Sequence, residues 1–189
     1  MSTLPHLAIS HFGLFVTNLA RMRAFYTDVM GFLVTDEGEI GGRQMVFMSR
    51  DPVDHHQVVL ADGRPEESRG MAVVNQLSFR VASLDEVRQC HRRLLTEPDV
   101  TGIGPINHGT AWSVYFHDPD GNRTEIFTDT PWYVHQPYRV PLDLSLSDET
   151  IVALTEKMLE DDPTRQSAET WRAQFAERIR KAAEARKEA

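Results

Sequence analysis

The chain carries a single cysteine, Cys90, so no disulfide can close within it. Cys90 falls in a stretch that reads as helix, where a lone thiol serves as a small packing group. Basic residues are outnumbered, 20 Lys and Arg against 28 Asp and Glu, and the net charge of −8 comes with no basic stripe. That balance argues against a nucleic-acid partner. No run of about 18 apolar residues occurs, which excludes a helical membrane span. Met1 to Ser10 holds no basic segment followed by a long apolar one, so the expectation is no signal peptide and a cytoplasmic location. A nucleotide loop is also missing, because Gly38 to Gly42 is not followed by a helix.

What remains is ordinary for a globular protein: 41% hydrophobic and 25% charged residues in a length of 189. That length fits one domain or two small fused modules. The first strand reads as His11 to Val16, followed by a helix capped by Asn18 and closed by Gly31. Strands are expected near Phe32–Glu37, Gln44–Ser49 and His56–Ala61, then a polar linker from Asp62 to Ser68.

The pattern then restarts. Gln76 to Val81 is a strand, and Ser83 with Glu86 forms a capping box opening a helix through Leu95. His11 and Gln76 hold the same place relative to the strand and cap that follow, giving a period of 76 − 11 = 65 residues. This predicts an α+β fold of two tandem βαβββ modules, about 7–62 and 72–130, forming a curved mixed sheet around a central site. Residues 131–189 form a C-terminal extension. There Ser147 caps one helix, and a second, from Ser167, bears the stripe Trp171, Phe175, Ile179 for packing on the domain or a second subunit. Its mixed-charge end, from Arg178, is expected to fray.

The second module closes with Trp112 to Phe127, two aromatic and β-branched runs around Asp118-Pro119-Asp120-Gly121-Asn122. This reads as a hairpin. Trp112, Val114, Phe116, Thr124 and Ile126 share a core face. The other face carries Ser113, Tyr115, His117, Arg123, Glu125 and Phe127, and a turn centred on Asp120 sets Tyr115 opposite Glu125. A carboxylate beside a phenol is either a solvated pair or, under a curled sheet, a reactive one.

Carried through the hairpin, the 65-residue period relates His11, Leu60, Gln76 and Glu125 around an axis between the modules. Imidazole nitrogen, amide oxygen and carboxylate oxygen can together ligate a divalent cation. With Leu60 in the fourth place, coordination positions stay open for water, substrate or dioxygen. Taken singly, His11 is equally a hydrogen-bonded histidine at a strand start, and Gln76 a buried amide serving neighbouring backbone. His6, His91, His117 and His135 read as surface or supporting histidines.

Over about residues 7 to 130 the chain resembles the vicinal-oxygen-chelate superfamily of glyoxalases, fosfomycin- and bleomycin-resistance proteins and type I extradiol dioxygenases. The small one-domain dioxygenases acting on catechols are the nearest likeness. It rests on Gly104-Pro105-Ile106-Asn107-His108-Gly109 leading to Tyr115-Phe116-His117-Asp118-Pro119-Asp120-Gly121-Asn122-Arg123-Thr124-Glu125. The resemblance implies that His11 and Glu125 bind the metal and that His56 is the acid–base histidine. It also implies that Tyr115 and His108 hydrogen-bond the bound oxygen. Gln76 stands where those dioxygenases carry their second metal histidine, although some glyoxalases use a glutamine there. The implied cofactor is Fe(II), with Mn(II) or another divalent metal as alternative. The implied partners are a small aromatic diol such as a biphenyl-2,3-diol, dioxygen, and a second subunit. Other readings are a glyoxalase-type metal-dependent lyase or isomerase, and a non-catalytic binder of aromatic ligands.

Overall fold

The computed structural model describes residues 7–71 and 73–188. His6 lies outside them. The first module comprises β1 (Phe12–Val16), α1 (Leu19–Ala24) running into a π-helical turn (Phe25–Val29), β2 (Leu33–Ile40), β3 (Arg43–Ser49) and β4 (Val58–Asp62). The second comprises β5 (Leu77–Arg80), α2 (Leu84–Leu94), β6 (Thr101–Asn107), β7 (Ala111–His117) and β8 (Arg123–Asp129). Then come β9 (Trp132–Tyr133), β10 (Val140–Pro141), α3 (Asp148–Met158), β11 (Gln166–Ser167) and α4 (Ala168–Glu188).

One sheet has the order β1-β4-β3-β2 and the other β10-β6-β7-β8-β5. Without β10 the second order repeats the first, and in both modules the opening strand runs parallel to the closing one. The α+β class and the duplication are therefore as the sequence predicts. The three helix caps form as well. Asn18 Oδ1 accepts the Arg21 N–H at 2.9 Å, Ser83 Oγ the Glu86 N–H at 3.2 Å, and Ser147 Oγ the Thr150 N–H at 3.3 Å.

Alternation along the strands decides what is buried. Trp112, Val114, Phe116 and Ile126 enter one core with Val16, Met22 and Phe25. The extension shares that core through Leu144 and Ile151 of its own. Thr155 of α3 anchors it, its buried Oγ1 accepting from Asn107 Nδ2 at 2.8 Å and from Trp112 Nε1 at 2.9 Å.

Three local expectations need correction. The pseudo-symmetry slips by one residue before the last strand: Gly13 pairs with Val59 and Ser78 with Glu125, so 78 − 13 = 65 but 125 − 59 = 66. The counterpart of Glu125 is thus Val59, and Leu60 pairs with Leu14 on the core side, fully buried. The expected linker folds back on the hairpin turn. Arg64 donates to Asn122 Oδ1 at 2.9 Å, and Arg69 to the Pro119 carbonyl at 3.1 Å. Gly121, at φ +79°, has no room for a side chain, because a Cβ there would lie 2.8 Å from Gly70 Cα. Finally, α4 continues through Glu188, aided by Arg180 pairing with Glu177 and Glu184.

Candidate active site

The open face of the second module holds most of the chemistry. Tyr115, Glu125 and Ser78 stand side by side on β7, β8 and β5, so their side chains share one face. The turn sets this register, with His117 opposite Arg123 next to it. Glu125 is buried, and its Oε2 accepts from Ser78 Oγ at 2.7 Å and Gln76 Nε2 at 3.0 Å. His108, following β6, brings Nε2 to 3.1 Å from the Tyr115 hydroxyl and 3.7 Å from Glu125 Oε1. Ser78, His108, Tyr115 and Glu125 line a pocket of about 300 Å³ with Thr110, Ala111, Phe127 and Gln136.

The extension completes the pocket from outside. The His108 Nδ1 lies 2.6 Å from the Tyr138 carbonyl oxygen, and Gln136 Nε2 donates to the His108 carbonyl at 2.9 Å. A carbonyl only accepts, so Nδ1 carries a hydrogen, and in the singly protonated ring Nε2 is then the acceptor on the pocket side. Burial pushes the Tyr115 phenol up to about 12, and the adjacent Glu125 carboxylate adds to the effect. Tyr115 is therefore a protonated donor at neutral pH, with the Arg123 guanidinium stacked 4.4 Å above its ring.

The remaining two candidates lie in the first module. His11, just before β1, packs against His56 with ring centroids 4.3 Å apart and the ring planes tilted by 59°. His56 also contacts Phe47, whose partner across the sheet is Val59 on the open face. The bend before β4 carries His56 there, since strand parity with Leu60 would have sent it to the core. Partial loss of water lowers the His56 pKa, and the His11 and His55 rings lower it further. Among the described residues, no hydrogen bond joins this pair to the Glu125 cluster. His11 and Ser78 do line a common cavity of about 730 Å³ where the modules meet.

Among the described residues no three His, Cys, Asp or Glu side chains are grouped for a metal ion. The set suggested by the sequence counts an amide, and its Gln76 and Glu125 are in contact. Rotation about the last Gln76 bond exchanges Nε2 for Oε1. Glu125 is buried with hydroxyl and amide donors and, among the described residues, no Lys or Arg bound to it, an environment in which a carboxylate charge calls for a cation. This donor chemistry fits a divalent ion.

Sequence reasoning missed Ser78 as a Glu125 partner, although alternation along the strand puts it on the same face as Gln76. It also missed the Tyr138 carbonyl and Gln136, which come from a connection with no local signal for a site.

A family model described as Glyoxalase/Bleomycin resistance protein/Dioxygenase superfamily matches residues 8–126, leaving the extension outside the match. The chain is 32% identical over 136 residues to biphenyl-2,3-diol 1,2-dioxygenase 3 of Rhodococcus globerulus, covering 68% of this chain and 66% of that one. It is 26% identical over 133 residues to the metapyrocatechase of Pseudomonas sp. (strain CF600), covering 67% and 41%. The chain thus spans less than two thirds of the length of either relative. Among solved structures, a glyoxylase/bleomycin resistance protein/dioxygenase domain from Frankia sp. EAN1pec superposes with a TM-score of 0.57 at 20% identity, over 67% of this chain and all of that one. The fosfomycin resistance protein FosX of Listeria monocytogenes gives 0.51 at 19% identity, over 67% and 96%. These two likenesses concern the fold.

Proposed function

The chain belongs to the glyoxalase/bleomycin resistance protein/dioxygenase superfamily, and from that premise we propose that it is a metal-dependent extradiol dioxygenase opening a catechol-type ring. The observation carrying this reading is the grouping of Glu125, Tyr115 and a tautomer-fixed His108 around one pocket. The relative of Rhodococcus globerulus supports the choice of an aromatic diol as substrate.

In this reading Glu125, Gln76 and His11 hold a divalent ion, Fe(II) first and Mn(II) as alternative. When bound, such an ion would supply Lewis acidity towards the hydroxyl oxygens of the ring. The chain's own groups do the rest. Once Tyr115 turns its proton towards bound oxygen, the His108 Nε2 lone pair is free to accept a proton or hydrogen bond from a substrate hydroxyl. Tyr115 keeps its proton and donates to oxygen. Phe127 offers an apolar surface to the ring, and Gln136 stands at the pocket's edge from the extension. His56, packed against His11, is the second proton-transfer candidate.

A glyoxalase-type lyase ranks lower, because the position matching Glu125 in the first module is Val59, which offers no donor. The test is anaerobic loading with Fe(II), then 2,3-dihydroxybiphenyl or catechol in air. Oxygen uptake with formation of a yellow ring-opened product is expected. No uptake across a panel of catechols would reject the reading.

A further inference from the structure

Two arginines far apart in sequence meet beside the pocket. Arg80, the last residue of β5, brings Nη1 to 2.5 Å from Asp129 Oδ2. Arg172 of α4 reaches the same oxygen with Nη2 at 3.1 Å. One carboxylate answers two guanidiniums, so the fork keeps a net positive charge on a chain that is negative as a whole. It is also open to ligands, the Arg80 and Arg172 side chains being 62% and 59% exposed.

The fork has a definite place relative to the pocket. The Arg80 guanidinium lies 5.1 Å from the centre of the Phe127 ring, and Phe127 lines the pocket with Glu125. Across the sheet Ser78 faces Glu125 and Arg80 faces Phe127. Two residues of strand therefore separate the Glu125 end from the Arg80 end, about 7 Å. An aromatic ring with a short acidic substituent spans that length, its face on Phe127 and its anion at the guanidiniums. Planar guanidinium forks match carboxylates in shape as well as charge.

We propose that Arg80 and Arg172 bind the carboxylate of an acidic ring substituent, so that the preferred ligand is an anionic aromatic compound. The diol at its other end rests on the proposed function; the carboxylate fork does not. Because Arg172 belongs to the C-terminal extension, this selectivity would come from a segment outside the family match. A purely structural role, tying α4 to β8, would leave ligand charge irrelevant.

The experiment compares phenylacetate with benzyl alcohol by NMR titration of the isolated chain, needing neither metal nor turnover. Phenylacetate is expected to bind about tenfold tighter. Arg80→Gln and Arg172→Gln should each bring that ratio towards one, and Asp129→Asn should raise it. A variant with a loosened fold weakens both ligands and leaves their ratio alone, so the ratio is the quantity read. A ratio near one in the unaltered chain, or one unchanged in both arginine variants, overturns the proposal. A selective ratio without turnover of any catechol supports the fork and rejects only the dioxygenase reading.

Discussion

His108 and Tyr138 are joined by a hydrogen bond of 2.6 Å from the ring Nδ1 to a main-chain carbonyl of the extension. The opposite ring nitrogen, Nε2, is thereby left as an acceptor 3.1 Å from the Tyr115 hydroxyl. Nitrogen-15 NMR of the histidine side chains is expected to show the neutral His108 ring protonated at Nδ1. A ring protonated at Nε2 would reverse the direction of the hydrogen bond with Tyr115 and remove the base from the pocket.

Replacing Tyr115 by Phe deletes the hydroxyl and keeps the ring under Arg123. Since the phenol stays protonated up to about 12, it is a donor throughout the working pH range. Tyr115→Phe is expected to lower kcat by about 10²-fold with little change in KM, as for a donor used mainly in the transition state. A raised KM with unchanged kcat would make Tyr115 a binding group only.

Asp120 holds the two modules together. It is fully buried, and its carboxylate accepts the Thr17 N–H at 2.7 Å, the Thr17 hydroxyl at 2.6 Å and the Arg21 guanidinium at 3.0 Å. Asp120→Ala leaves those donors without their acceptor, and a loss of about 3 kcal/mol in urea unfolding is expected. A loss under about 1 kcal/mol would mean that water replaces the carboxylate there.

The neighbouring Asp118 predicts a pH effect. Burial raises its carboxyl from 3.8 to about 6, against the hydrogen bonds from Asn122 and Asp120 that favour the anion. A carboxyl raised in the folded state stabilises most below its unfolded value, and that contribution is lost as pH rises through about 6. Asp118→Asn removes the titration. Between pH 4 and pH 7 the variant should therefore gain about 2 kcal/mol relative to the unaltered chain. A stability gap that stays constant over that range would contradict the assignment.

Much of this was legible in the sequence, and the reasons are local. Asp118-Pro119-Asp120-Gly121-Asn122 fixes a turn, a turn fixes register, and register put Tyr115 opposite Glu125. Caps at Asn18, Ser83 and Ser147 were readable because a capping side chain acts within three residues. The step from Leu60 to Val59 was not readable, since one extra residue in the second module changes no composition or periodicity. β6 was implied by the βαβββ pattern but not bounded, because Gly102, Gly104 and Pro105 weaken a strand signal until β7 and β10 pair with it. The Tyr138 contact with His108 uses a main-chain oxygen, and any residue type supplies one.

The central claim is that Glu125 is a metal ligand supported by Gln76 and His11. Its most direct test is titration of the chelator-treated chain with Fe(II) and Mn(II) under argon, with metal content read after gel filtration. The account predicts one ion per chain, lost in Glu125→Ala and weakened at least tenfold in His11→Ala. Metal retained equally by the unaltered chain and both variants would contradict it.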